Sequence, residues 1–577
     1  MRHYQSALLR QAWKQDGKVK RHTVASLAGL PPAQVDALEA VLNRGARPCQ
    51  HGPADPPDAE LGPGLAHGAV AAAWAMACKL QIPGMLGGPS RERDLIMGLA
   101  IARVCHPGSK IARASWWADT TLGEDLALGQ VGEDEICRAM DWLGERQDAV
   151  EGALAARFLK DPRANPAKLV FYDLTSTWVE GSKRELAERG YSRDKKKGRK
   201  QIEFALVCAP GGIPVGVRVF PGNTAGPDAF KSAITAVKDQ HKMDVAIMAG
   251  DRGMVTGARI EDLRERDGLG WVGALDRPQV AALAEDRGPL QPSLFDQTGL
   301  FRFASPDYPG EMLVACRNPF NAEASKARRE DLIKATLEDL AKIPLKGRDR
   351  KPKTTAQLER AVGAAVNRRE AGKFINAEVL DGKIAAAANP EAVAKAERVD
   401  GIHAIRTSLT EDQMAPQDVV RVHRQLSRVE ADFKMLKSVD MQARPVRHWL
   451  AGRVREHLLI CLLAAVIAWH LREAWKPLTF QDEEDPEPTT PSRPAQRSEA
   501  ADVKASRRRR ADGIGLRSFG ELLDHLGLMT RNPIAFATAA GTVAVVRVSA
   551  PTADQAEAFR LIGAKVPPKI SYQRARS

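Results

Sequence analysis

The apolar positions of this chain change period along its length. From residue 69 to residue 160 they recur at helical spacing. Ser90-Arg91-Glu92-Arg93 and Gly132-Glu133-Asp134-Glu135 supply helix starts, and Pro107-Gly108-Ser109 separates two helices. The spacing then becomes strand-like. Strands are predicted over Leu169–Thr175, Ile202–Cys208, Ile213–Phe220, Val245–Ala249 and Trp271–Leu275. The turn Ala209-Pro210-Gly211-Gly212 makes the second and third a hairpin. Helices are predicted over Asp228–Asp239 and Thr256–Arg266. The order β-β-β-α-β-α-β is a meander followed by right-handed crossovers, which implies a mixed five-stranded sheet with flanking helices in an α/β fold.

Residues 277–412 interrupt that core. They hold a Pro-rich loop, short strands near Phe301 and Met312, a charged helix over Ala322–Ala341 and the basic linker Lys346 to Lys353. A helix resumes at Pro416. Its apolar residues Val419, Val422, Leu426, Val429, Phe433 and Leu436 step by three and four, so it is amphipathic throughout. The longest apolar run, Leu458 to Trp469, is too short to span a bilayer and reads as a buried helix. After it, the acidic, Pro-rich Gln481 to Pro494 and the basic Lys504 to Arg510 read as disordered linker. The predicted organisation is an N-terminal module (1–75), a helical region (76–165), a core in two parts (166–276 and 413–475) around an insertion (277–412), a linker (476–514) and a separate tail domain (515–577).

A chain of 577 residues is too long for one core. Its 44% hydrophobic and 27% charged content is that of a globular protein, and the net charge of +13 favours a polyanionic partner, nucleic acid first. The seven cysteines are scattered without a CxxC pair, which argues against a zinc site and suits a reducing cytoplasm. The polar stretch from Met1 to Arg21 lacks the apolar segment of a signal peptide.

Three carboxylates carry the candidate chemistry. Asp173 lies near the end of the first strand, Asp251 directly follows the fourth, and Glu430 sits on the helix after the insertion. If the fourth strand lies beside the first, the two aspartates converge at the carboxyl edge of the sheet. Carboxylates at close range repel, and a divalent cation resolves that repulsion, as in a two-metal phosphoryl-transfer site. Glu430, Lys434 and Lys437 share a helix face that His423 and Ser427 continue backwards. Taken alone, Glu430 reads better as a surface Glu-Lys pair with Lys434, and only its conjunction with the two aspartates favours the metal site. The run Gly190 to Lys200 is either a solvated charge run or a phosphate-contacting loop, through Arg193, Lys195, Lys196, Lys197, Arg199 and Lys200.

Several segments together resemble the DDE transposases of bacterial insertion sequences, in the subgroup whose third acid lies in a Tyr-x2-Arg-x3-Glu-x6-Lys helix. They are Phe171-Tyr172-Asp173-Leu174-Thr175, Gly190-Tyr191-Ser192-Arg193-Asp194, Phe220-Pro221-Gly222-Asn223-Thr224, Gly250-Asp251-Arg252-Gly253-Met254, Arg428-Val429-Glu430 with Lys437, Arg444-Pro445-Val446, His448-Trp449, and Arg453-Val454-Arg455-Glu456-His457. The resemblance covers residues 1–475, most weakly at the N-terminus. It implies an RNase H-like core with Asp173, Asp251 and Glu430 as catalytic metal ligands for Mg²⁺, or Mn²⁺ in its place. The separation of 179 residues between Asp251 and Glu430 agrees with the domain this family inserts there. His423 and Leu426 stand where the motif has its Tyr and Arg, and Leu426 fits the apolar stripe.

The chemistry implied is cleavage at the element's terminal inverted repeats, then joining of the 3′-hydroxyl to target DNA without a covalent enzyme intermediate. Lys437 is expected at a terminal phosphate, with Lys434, His423 and Arg252 also facing DNA. A homodimer assembled on DNA and a bacterial, nucleoid-associated cytoplasmic location are implied too. The residues leave two other readings open: a DNA-binding relative that has lost catalytic strength and regulates by binding element ends, and a structure-specific nuclease on the same fold.

Overall fold

The computed structural model describes residues 8–565 except 16–17, 28–29, 31–33, 37, 40–58, 110–111, 113–115, 180–183, 191–197, 225, 251–256, 286–287, 292–294, 296–298, 347–350, 370, 438–445, 447, 482–497, 511 and 539–540. The chain forms two compact units: Met1–Gly68 with Gly527–Ala550, and Ala69–Leu526 with Pro551–Ser577.

The first unit joins the N-terminal segment to residues 527–550. Leu8–Gln15 and Lys18–Ser26 form one antiparallel pair. In a second sheet, Thr530–Thr538 pairs on one side with Gly541–Val548 and on the other with Ala59–Leu61. The hairpin of the expected separate tail therefore completes a sheet with the N-terminal segment, and residues 553–562 belong to the other unit. Strand pairing at such sequence separation leaves no local trace in either segment.

The second unit is built on a mixed sheet. Its strands are β1 (Leu169–Trp178), β2 (Gln201–Ala209), β3 (Ile213–Pro221), β4 (Ala246–Ala249), β5 (Leu269–Ala274), β6 (Leu300–Phe303), β7 (Met312–Arg317) and β8 (Ile402–Thr407), in the order β6-β7-β8-β5-β4-β1-β2-β3. The meander and the two parallel crossovers appear where the sequence predicts them: β1 pairs parallel with β4, and β4 with β5. The expected count of five strands is corrected to eight. Met312–Arg317 and Ile402–Thr407, assigned to the insertion, extend the sheet antiparallel from β5. They are short and flank 84 residues of other structure, so alternation alone does not reveal their partner. Between them, Pro319–Ala341, Thr355–Arg368 and the hairpin Ile375–Leu380 with Lys383–Ala388 bury a small core of their own around Leu340, Val362, Ala365 and Ile375.

Helices cover both faces of this sheet. The N-terminal helices include α1 (Arg91–Cys105), α2 (Glu133–Gly144) and α3 (Gln147–Phe158). Ser90 caps α1 by accepting from the Arg93 amide, as its sequence predicts. The α3 carboxylate Glu151 is buried against β3, accepting from Val217 N at 3.1 Å and Arg218 Nη1 at 2.6 Å. After β3 come α4 (Gly226–Thr235) and α5 (Gly257–Arg264). The predicted single helix from Pro416 is two, α6 (Pro416–Arg424) and α7 (Leu426–Lys437), broken at Gln425. Apolar spacing runs through the break because both halves pack on the sheet. The apolar run becomes α8 (Ala451–Ala474), long and apolar enough to cross a membrane, yet mostly buried against β3, α1 and α2.

The basic run read as disordered linker is in part α9 (Glu499–Arg507), and its Lys504 is buried, donating to Lys476 O at 2.5 Å and Gln481 O at 2.7 Å. The acidic half of that linker falls mostly on residues 482–497, outside the described residues. The last helix is α10 (Ala553–Ile562), opened by a Thr552–Gln555 capping box.

Candidate active site

Asp173 stands in the middle of β1, which is buried on both faces apart from Asp173 and Trp178, each half-buried. A central strand hides its period-two pattern, so the one polar carboxylate interrupts an otherwise dry run. Its Oδ1 accepts from the Leu174 amide at 2.8 Å. Alternate residues share a face, so Thr175 and Thr177 lie on the Asp173 side, and Tyr172 and Leu174 lie on the other. Tyr172 confirms the division: its hydroxyl donates to Ala229 O at 2.7 Å and its ring meets Phe230 edge-on, both on α4.

On the Asp173 side lies α7. Lys437 Nζ donates to Thr175 Oγ1 at 2.5 Å and to Ser176 O at 3.0 Å. Phe433 packs edge-on against Phe204 of β2 with ring centroids 5.6 Å apart, and Phe204 pairs with Thr175 in register. At its start, α7 rests on the β2–β3 turn, where Arg428 and Asp432 crowd Gly212. The helix therefore runs beside β1, anchored at the turn and at Thr175, and Asp173 lies between those two levels. Nine helical residues and four strand residues both cover about 13 Å, so the two elements match in length.

Glu430 belongs to the middle of this helix. It is exposed and makes no hydrogen bond or ion pair among the described residues, so the surface pair with Lys434 does not form. Lys434 is exposed one turn further on, and His423 is half-buried on α6. Leu426 is buried, in line with its place in the apolar stripe.

Beside β1, Phe171 pairs in parallel with Ala249 of β4; each stands two positions ahead, in sequence, of one of the two aspartates. Asp251 and Arg252 lie outside the described residues, as do Arg193, Lys195, Lys196 and Lys197. From the basic loop, Arg199 is exposed with its guanidinium 5.2 Å from the centre of the Trp178 ring, and the carbonyl of half-buried Lys200 accepts from Val179 N. These two basic residues stand at the end of β1 beyond Asp173. Among the described residues, no group of three acidic, histidine or cysteine side chains could hold a metal ion.

The sequence reading missed the seat of α7. Gly211 N donates to Gln425 Oε1 at 3.3 Å, and Trp469 Nε1 of α8 donates to Gly211 O at 3.2 Å. Gln425, which breaks the long helix, therefore ties that break to the turn. Asp432 is 7% exposed, and burial pushes its carboxyl up to about 8 against the opposing pull of Arg472 and Arg428. Burial also pushes the Cys208 thiol well above its ordinary range, and the charges of Asp432 and Asp173 add to the effect. The only trace of this seat in the sequence is the Gly-Gly pair, which hairpin chemistry already explains.

A family model described as the transposase DDE domain matches residues 165–467, more than half of the chain. No curated protein matches. Among solved structures, a piggyBac transposase synaptic complex with hairpin DNA is similar, at 9% identity and a TM-score of 0.31, over 80% of this chain and 76% of that one.

Proposed function

This chain belongs to the DDE transposases, DNA-cleaving enzymes of transposition, and from that premise we propose that it cuts the ends of an insertion sequence and joins the freed 3′-hydroxyl to target DNA, using Asp173, Asp251 and Glu430. One observation carries the reading: the helix bearing Glu430 is pinned on the Asp173 face of the sheet, with Lys437 hooked onto Thr175.

The available carboxylates suit a hard divalent cation. Asp173 keeps part of its side chain accessible within a dry strand, and Glu430 is exposed with no cation of the protein paired to it among the described residues. Both offer oxygen ligands, the donor type that Mg²⁺ takes alongside waters and phosphate oxygens. Bound there, divalent ions would supply activation of water and then of the 3′-hydroxyl, with stabilisation of the leaving oxygen. The protein's own part is positional. The two-ended anchoring of α7 sets Glu430 relative to β1, and Arg199, Lys200, Lys434 and Lys437 supply positive charge for the phosphodiester backbone. His423 remains able to contact phosphate where the family's motif has a tyrosine. Two ends must be brought together for strand transfer, so the active form is a homodimer on terminal inverted repeats, in a bacterial cytoplasm.

The test is cleavage and joining of DNA carrying the inverted repeats that flank the reading frame, with Mg²⁺ or Mn²⁺. Asp173→Ala, Asp251→Ala and Glu430→Gln should each abolish both reactions while leaving DNA binding intact. Cleavage that survives Asp173→Ala refutes the site. Cuts without joined products would favour a structure-specific nuclease, and binding without cuts a regulatory relative.

A further inference from the structure

The cavity beside α9 holds an excess of positive charge that the catalytic reading does not use. It has a volume of about 510 Å³ and lies between α9, α10 and the chain around Pro477. Its charged lining is Lys504, Arg507, Arg509, Arg510, Arg560 and a single acid, Glu557. Its apolar lining is Pro477, Ala500, Ala501, Val503 and Leu561, of which Ala500 and Val503 are exposed.

The internal pairing is uneven. Glu557 is shared by Arg510 at 3.0 Å and Arg560 at 2.5 Å, and Arg510 also meets Asp512 at 2.9 Å. Lys504 is spent on backbone carbonyls inside the fold. Arg507 and Arg509 are exposed and form no ion pair among the described residues; Arg509 donates only to Gly513 O, at 3.2 Å. Two exposed guanidinium forks on the cavity lining, with no carboxylate of the described residues paired to them, suit phosphate oxygens. The whole feature lies outside residues 165–467, so the catalytic segment does not account for it.

We propose that Arg507 and Arg509, at the mouth of the α9–α10 cavity, bind the phosphodiester backbone of duplex DNA as a second contact apart from the catalytic core. The proposal rests on the reading of this chain as a DNA-cutting enzyme. The cavity steadies the substrate and adds affinity that depends on salt and not on base sequence.

The experiment is fluorescence anisotropy of the full chain with a labelled duplex, without divalent metal, over a salt series. The double variant Arg507→Ala, Arg509→Ala should lower the slope of log affinity against log salt by about 1.8, which weakens binding roughly 60-fold at 0.1 M relative to 1 M salt. Its thermal midpoint should be unchanged, because both side chains are exposed, and the double Lys variant should keep most of the slope. An unchanged slope and affinity overturn the proposal while leaving the enzyme reading intact. Displacement of the duplex from the parent, and not from the double Ala variant, by free nucleotide at low concentration would overturn it too, since the site would then serve a small ligand. A wild-type chain that binds no DNA at all refutes the enzyme reading itself.

Discussion

The seat of α7 predicts a sharp contrast between two adjacent glycines. Gly211 and Gly212 both have positive φ, +80° and +86°. An alanine in the left-handed region costs about 1–2 kcal/mol, and lower chain entropy in the unfolded state returns roughly 0.4–1. At Gly211 that is the whole account, because an added Cβ meets only Trp469 at 3.4 Å and Arg428 at 3.5 Å. Gly211→Ala should therefore cost about 1 kcal/mol. At Gly212 the same Cβ lies 2.8 Å from Asp432 Oδ2, 3.1 Å from Arg428 Cβ and 3.3 Å from the Arg428 backbone carbon. These atoms belong to α7, and a helix backbone does not yield locally. Overpacking of this kind adds about 1–3 kcal/mol, so Gly212→Ala should cost roughly 2–4 in all. Urea denaturation reads the difference as a shift in midpoint at constant m. Because α7 carries Glu430, cleavage by the folded Gly212→Ala chain should also fall well below that of Gly211→Ala. Equal destabilisation of the two variants, or full activity of folded Gly212→Ala, would refute the view that this turn positions the helix.

Two further outcomes follow from named contacts. Lys437 is bonded to a buried threonine hydroxyl and a strand carbonyl, so Lys437→Met should lose about 1.5–3 kcal/mol of stability as well as strand cleavage; a variant as stable as the parent would show that Lys437 serves DNA alone. His241 is 1% exposed, and burial, with Arg218 and Lys160 nearby, lowers its pKa from 6.5 to about 4. The unfolded chain then takes up a proton first, so this contribution is complete above pH 6.5, declines as the pH falls, and is lost by about 3 kcal/mol below pH 4. Denaturation of the parent against His241→Leu over that window should show the parent alone losing this stability, and parallel curves would contradict it.

The sequence by itself determined the local elements and the identities of the chemical groups. The meander, the two crossovers, the buried α8 and the Ser90 cap all follow from spacing and turn chemistry, which act over a few residues. Asp173 and Glu430 were visible because a carboxylate in a strand of apolar residues, and one beside an apolar stripe, are locally conspicuous. Tertiary structure alone decided what lies at long separation. It joined β7 and β8 to the sheet across the insertion, and it gave the tail hairpin its partner at Ala59–Leu61. It also broke the long helix at Gln425, which bonds a turn 214 residues away, and it gathered a basic run into the wall of a cavity. Periodicity records which face of an element is buried and not against what, because burial rewards any apolar neighbour equally. The partner is selected by the closure of the whole sheet.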